Sequence, residues 1–177
     1  MIPSSVIETA YAQIKPYIRQ TPVLHAREIT DCEVLLKLEN FQITGSFKAR
    51  GGLNKLCSLS PSDRDKGIIT ASSGNHGAAV SFGANTLGCL AHVFVPEGAD
   101  PSKIAAIRSY GANVDTHGDD CSLTEAHARK TALATGKTYI SPYNDMDVIA
   151  GQGTIAVELL EELGTLDAVF VVLVVAA

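Results

Sequence analysis

The chain has 177 residues, enough for one domain or one and a fraction, and 46% of them are apolar, so a packed core is within reach. Its formal net charge is −5, with no basic block and no interleaving of aromatics with Arg or Lys, which leaves nucleic-acid binding without support. The four cysteines, Cys32, Cys57, Cys89 and Cys121, form no C-x-x-C pair. Their spacing therefore indicates neither a zinc knuckle nor a redox couple, and they read as reduced, mostly buried thiols of a cytoplasmic protein.

The N-terminal residues Met1 to Ser5 lack a basic region followed by an apolar run, so no signal peptide is expected. Ser4 or Ser5 is expected to cap a first helix that carries Val6, Ile7, Ala10, Tyr11 and Ile14 on one face. Glu33 to Glu39 reads as a strand. Ser46 to Cys57 reads as a helix, and the two glycines inside it, Gly51 and Gly52, point to close packing or close approach of a ligand.

From Gly67 the pattern is regular. Strands are expected at Ile68–Ala71, Ala91–Val95, Asn113–Thr116 and Thr138–Ile140. Helices are expected at Asn75–Leu87, Pro101–Tyr110 and Ser122–Ala134. Such alternation implies βαβ units and a parallel sheet covered by helices. Pro142 to Asp147 is a turn-rich connection, Val148 to Leu163 a long helix, and Asp167 to Val175 a last strand. The longest apolar run, Ala168 to Ala177, is too short to span a bilayer, and its valines favour a buried strand. The expected organisation is a small α/β unit at 68–142 inserted between two parts, 1–67 and 143–177, of a larger α/β unit.

Two segments carry chemistry. In Thr44-Gly45-Ser46-Phe47-Lys48-Ala49-Arg50 a lysine stands at a tight entry into a helix, beside an aromatic residue. The positive end of the helix dipole and partial burial both disfavour its ammonium form, which suits an amine that attacks an aldehyde. A solvated lysine on a helix face is the plain alternative. The second segment, Ser72-Ser73-Gly74-Asn75-His76-Gly77, joins a strand to a helix, and its N–H and hydroxyl donors suit a carboxylate. The alternative there is that Ser72 or Ser73 only caps the helix and His76 is a packed first-turn residue. His117, Asp119, Asp120 and Cys121 also cluster, but a turn and a helix cap account for Gly118, Asp119 and Asp120, so no metal site is expected.

The stretch from Leu38-Glu39-Asn40 through Gly45-Ser46-Phe47-Lys48-Ala49-Arg50 resembles the cofactor-lysine motif of the fold-type II pyridoxal-phosphate enzymes. Within them it is most similar to the serine/threonine dehydratases and serine racemase. The Ser72–Gly77 loop resembles their substrate-carboxylate loop, and Ser141-Pro142-Tyr143 with Val148 to Thr154 resembles a further stretch. The likeness is collinear from about Thr21 to Phe170. It implies a fold-type II α/β architecture, with the small parallel α/β domain inserted into an incomplete larger one.

The resemblance also implies roles. Lys48 would bind pyridoxal 5'-phosphate as a Schiff base and move the proton, and Phe47 would pack near the cofactor. Asn75 would hydrogen-bond the ring's 3′ oxygen, and Ser72, Ser73, Asn75 and His76 would surround the substrate carboxylate. The implied activity is deamination of L-threonine or L-serine to a 2-oxo acid and ammonia, in a homo-oligomeric parent. Ser73, as the acid/base on the face opposite the lysine, would fit racemisation of serine.

Family members continue after the last strand into a tetraglycine loop for the cofactor phosphate, whereas Val171 to Ala177 contain no glycine. The chain is thus expected to be the N-terminal portion of such an enzyme. Leu173 to Ala177 can be encoded CTG GTG GTG GCG GCN, which from its third base reads as Gly-Gly-Gly-Gly, so a frameshifted glycine loop is one expected origin. A catalytically inactive fragment is the competing expectation. A nucleotide-binding domain is the weakest, because no G-x-G-x-x-G follows a strand.

Overall fold

The computed structural model describes residues 2–26 and 33–171. Strands β3 (Ile68–Ala71), β4 (Ala91–Val95), β5 (Asn113–Thr116) and β6 (Thr138–Tyr139) form one sheet in the order β5-β4-β3-β6. All three pairings are parallel, with Thr70 opposite Val93, Val93 opposite Val114 and Ile69 opposite Tyr139. The crossovers are helices α4 (Asn75–Thr86), α5 (Pro101–Ser109) and α6 (Cys121–Thr135), as the alternation in the sequence requires.

Both faces of this sheet are covered, and the strand side chains divide by parity. Ile68, Val93 and Val95 enter one core with Val80, Ala84, Ile107 and Leu56, while Ile69 and Phe94 enter another with Ala128 and Ala132 of α6. Full burial of an aliphatic chain of this size stabilises the fold by roughly 1.5–3 kcal/mol.

A helical layer lies against this unit. It comprises α1 (Ser4–Ile14), α2 (Lys48–Ser58) and α7 (Met146–Leu163), and the short α3 (Pro61–Lys66) leads from α2 to β3. A two-stranded antiparallel ladder, β1 (Val23–His25) with β2 (Leu35–Lys37), precedes α2 and runs into a 3-10 turn at Glu39–Phe41. The glycines of α2 serve close packing. A Cβ on Gly51 would come within 2.8 Å of the Val148 carbonyl oxygen, and one on Gly52 within 3.2 Å of Ala79 backbone atoms. Backbone-to-backbone approach of this kind lets α2 sit flush between α7 and α4.

Several expectations are corrected. Neither Ser4 nor Ser5 caps α1. Pro3 occupies the cap position with extended backbone and no side-chain cap bond, and both serines lie inside the helix. Ala10, Tyr11 and Ile14 are buried as expected, but Val6 is exposed. The strand expected over 33–39 is confined to Leu35–Lys37, because Glu39 already belongs to the 3-10 turn. Of the cysteines expected to be mostly buried, Cys57 and Cys89 are half-buried, Cys121 is exposed, and Cys32 lies outside the described residues. Residues 167–171 are not in a strand, since no described strand pairs with them, and residues 172–177 lie outside the described residues. The strands at 68–71, 91–95 and 113–116 have the expected bounds.

Candidate active site

Helices α2 and α4 start side by side. Gly52 meets Ala79, and one turn further along Leu56 meets Gly83, so the two helices run parallel in register. One turn back from those contacts stand Lys48 and Asn75, the first residues of α2 and α4. The two sequence segments that carry chemistry are therefore brought to one end of the helix pair. Each helix directs its positive end there.

Lys48 is half-buried. Its Nζ donates to the Pro142 carbonyl oxygen at 3.1 Å and lies 5.2 Å from the centre of the Phe47 ring, which is itself 40% exposed. Burial holds its pKa below the ordinary lysine value, in the direction expected for an amine nucleophile. Among the described residues no carboxylate pairs with it.

The 72–77 loop keeps its donors free in an unexpected way. Gly74, not a serine, is the cap residue of α4, and no side chain caps this helix. The Ser72 hydroxyl instead accepts from the Gly74 N–H at 3.2 Å. The first-turn N–H groups of a helix have no intrahelical partner, so those of α4 remain available to an anion. Asn75 is exposed, and Ser72, Ser73 and Gly74 are half-buried.

His76 is placed differently from the other loop residues. Its ring is 3% exposed, with Nε2 facing the Ile140 carbonyl at 3.4 Å and Nδ1 buried without a partner. Burial is the main reason its pKa falls to about 4, helped by the nearby Lys48 charge and opposed by the Ile140 carbonyl. The imidazole is thus neutral at ordinary pH. Segment 140–142 is the common wall of the site, for Ile140 faces His76 and Pro142 faces Lys48.

The sequence reading missed what holds Lys48 in place. Arg50, in the first turn of α2, is fully buried. Its guanidinium donates to both carboxylate oxygens of Glu158 (2.8 and 2.9 Å) and both of Glu39 (2.8 and 2.9 Å), and to the Thr154 hydroxyl at 3.3 Å. Lys37 Nζ adds a 2.8 Å bond to Glu158, and the Thr21 hydroxyl a 2.6 Å bond to Glu39. Two cations and two carboxylates balance inside the protein, which is what makes their burial tolerable. Burial works against the Arg50 charge, but the hydrogen bonds and charges of Glu39 and Glu158 outweigh it and raise its pKa. The signal was present in the sequence: Arg50 shares a helix face with Leu53 and Asn54, a charge on the buried stripe of an amphipathic helix.

A second clamp joins α2 to α7. Lys55 bridges Asp145 at 3.0 Å and Asp147 at 2.9 Å, and Asn54 donates to the Asp147 carbonyl. Away from the site, Asp120 accepts from the Leu123 N–H and caps α6, and Gly118 has a positive φ of 77°, so the 117–121 cluster is a turn and a cap as expected. Among the described residues no three His, Cys, Asp or Glu side chains converge as for a metal, and no helix is long and apolar enough to cross a membrane.

The family profile described as "Pyridoxal-phosphate dependent enzyme" matches residues 14–176. The catabolic L-threonine dehydratase TdcB of Staphylococcus aureus (strain USA300) is 43% identical over 169 residues, covering 93% of this chain and 49% of that protein. The structure of serine racemase from Dictyostelium discoideum superposes with a TM-score of 0.87 at 37% identity, over 94% of this chain and 55% of that one. Maize serine racemase gives a TM-score of 0.88 at 35% identity, over 92% and 50% respectively. The threonine deaminase of tomato, Solanum lycopersicum, in its processed isoform 2, gives 0.84 at 32% identity, over 92% and 47%. The chain spans about half the length of the curated relatives it matches.

Proposed function

The chain belongs to the pyridoxal-phosphate dependent enzymes, and on that footing we propose that it carries the lysine and carboxylate-binding parts of an L-threonine/L-serine ammonia-lyase. One observation carries the reading: a half-buried amine of lowered pKa stands beside the uncapped start of a second helix. An amine that is neutral more often than an exposed lysine suits the cofactor's aldehyde, and free N–H donors suit the substrate's carboxylate.

When bound, pyridoxal 5'-phosphate supplies an electron sink for negative charge at the substrate Cα. The residues of this chain would do the rest. Lys48 would anchor the cofactor and move the Cα proton, and Phe47 would wall the cofactor on one side. Asn75 would donate to the ring oxygen. Ser72, Ser73 and the first-turn N–H groups of α4, that of His76 among them, would hold the carboxylate. The neutral, buried His76 ring would support the loop from behind. Loss of the β-hydroxyl then leads to a 2-oxo acid and ammonia. The parent protein in this reading is a cytoplasmic homo-oligomer, and the small unit at 68–142 is inserted in the larger one.

Ser73 favours a second reading, racemisation of serine, in which its hydroxyl handles the proton on the face opposite Lys48. The similarity to a serine racemase supports it. In this reading Ser73→Ala abolishes racemisation and leaves deamination.

The test is an absorbance spectrum of the purified chain with added pyridoxal phosphate, beside Lys48→Ala. A visible band that requires Lys48 supports the proposal, and turnover of L-threonine and L-serine follows. A folded chain that gives no such band overturns it for this polypeptide and leaves the inactive-fragment reading.

A further inference from the structure

The partner of the Lys48 amine is not a side chain but the backbone carbonyl of Pro142. Whatever fixes that carbonyl therefore fixes the resting place of the amine. Ile140 and Ser141 upstream of it are buried, but Pro142 is only half-buried and the two residues that follow are exposed. Tyr143 is 63% exposed, and an exposed aromatic on a turn is ordinarily free to reorient.

Here it is tied down. The Tyr143 hydroxyl donates to Oε2 of Glu125 on α6. The other carboxylate oxygen of Glu125 accepts from Arg129 at 2.7 and 2.9 Å, one helical turn on. The Arg129 guanidinium lies 4.4 Å from the centre of the Tyr139 ring, on β6. Tyr139 and Tyr143 flank Pro142, so both ends of the segment are fastened to the same turn of α6. Within it the Asn144 N–H donates to the Ser141 hydroxyl at 3.2 Å, and the proline ring removes one backbone rotation.

We propose that Tyr143 is a positioning residue for Lys48: through Glu125 it holds the Pro142 carbonyl against the amine, and so sets how readily that amine meets an aldehyde. The proposal rests on the reading of Lys48 as the nucleophile. A neutral carbonyl keeps the amine in place without an ion pair and releases it at small cost. Hydrogen-bonding oxygen at Pro142 also favours the ammonium form, so withdrawing it frees the amine both sterically and electrostatically. The Lys48 charge helps keep the neighbouring His76 of α4 neutral.

The test needs no cofactor. The chain is treated with formaldehyde and a borohydride reductant, and methylation of Lys48 is followed by peptide mass spectrometry, normalised to exposed Lys103 and Lys130. Tyr143→Phe removes one hydroxyl from an exposed ring. It is expected to raise the Lys48 rate about fivefold, the scale of one net hydrogen bond, and to move its pH profile to lower pH. Glu125→Ala is expected to do the same, the double variant no more, and Glu125→Gln, which keeps an acceptor for Tyr143, to stay near the parent. An unchanged Lys48 rate and pH profile in Tyr143→Phe overturns the proposal, as does an equal rise at all three lysines. If Tyr143→Phe fails to fold, the Glu125 pair decides in the same terms. A chain that lacks the visible band yet shows the Lys48 rate change separates failure of the cofactor reading from failure of this one.

Discussion

Arg50 and Glu158, 108 residues apart in the chain, share two N–H···O bonds of 2.8 and 2.9 Å with both side chains shut off from solvent. Removal of one partner from such a pair leaves a buried charge uncompensated. Glu158→Ala is expected to destabilise the fold by about 3–5 kcal/mol, read from urea denaturation midpoints. Burial alone would raise the Glu158 pKa, but hydrogen bonds from Arg50 and Lys37 bring it below the usual carboxylate value. Its contribution is therefore complete above the unfolded carboxylate pKa and is lost as pH falls through the folded one.

His76 sets a different pH window. Its folded pKa of about 4 lies below the ordinary histidine value of 6.5, so the unfolded chain binds the proton more readily. Stability is complete above pH 6.5 and declines as pH falls toward 4, by up to about 3 kcal/mol. His76→Gln is expected to flatten the stability profile across that interval, measured by denaturant titration at a series of pH values. A profile of unchanged slope would show that the imidazole does not carry the effect.

The packing of α2 on α7 predicts a sharp contrast among glycines. A Cβ on Gly151 would fall 2.6 Å from the Arg50 carbonyl oxygen and 2.7 Å from Gly51 Cα, atoms that cannot yield. Gly151→Ala is expected to cost about 1–3 kcal/mol by overpacking. Gly74 has open space around its Cβ position and an extended backbone, so Gly74→Ala meets no clash and is expected to cost about 0.5–1 kcal/mol, the difference between glycine and alanine as a helix cap. Thermal melts of the two variants make the comparison.

Two capping aspartates separate in the same way. Asp120 accepts one backbone N–H at the start of α6, an exposed site. Asp145 accepts two at the start of α7 and also binds Lys55 at 3.0 Å. Asp120→Ala is expected to cost about 1 kcal/mol, the worth of a cap, and Asp145→Ala more. Because Asp145 lies close along the chain to Pro142, Asp145→Ala is also expected to change Lys48 methylation, while Asp120→Ala leaves it unchanged.

The parts of the fold readable in the sequence are those whose cause is local. Strands β3 and β4 are short, mostly apolar runs bounded by turn residues, such as Gly67 before Ile68 and Pro96 after Val95, while β5, Asn-Val-Asp-Thr, is legible from the regular strand-helix alternation. Helix α3 escaped because Pro61 to Lys66 has no apolar residue to set a period. Its evidence is the Ser60 side chain accepting from the Asp63 N–H and a proline at its first position. Strand β1 is three residues long and exists through its pairing with β2. The strand expected from Asp167 failed over its described residues for the converse reason: valine content supplies propensity, not a neighbour.

The candidate site divides similarly. Lys48 and the 72–77 loop were visible because glycine and small polar residues at helix starts leave a local signature. Their meeting at Ile140 and Pro142, and the Arg50–Glu158 pair, join residues too far apart in sequence for any window to catch.

The same separation has a temporal side. A ribosome adding about 5–20 residues per second needs on the order of 5–20 s to travel from codon 50 to codon 158. Through that interval the lysine-bearing helix can meet Glu39, 11 residues upstream, but not the carboxylate that completes its anchorage. The nascent α2 thus waits with a guanidinium that belongs in the core and has only half of its partners. Stalling the ribosome just before codon 158 is expected to leave the first third of the chain open to protease. Release beyond that codon closes it.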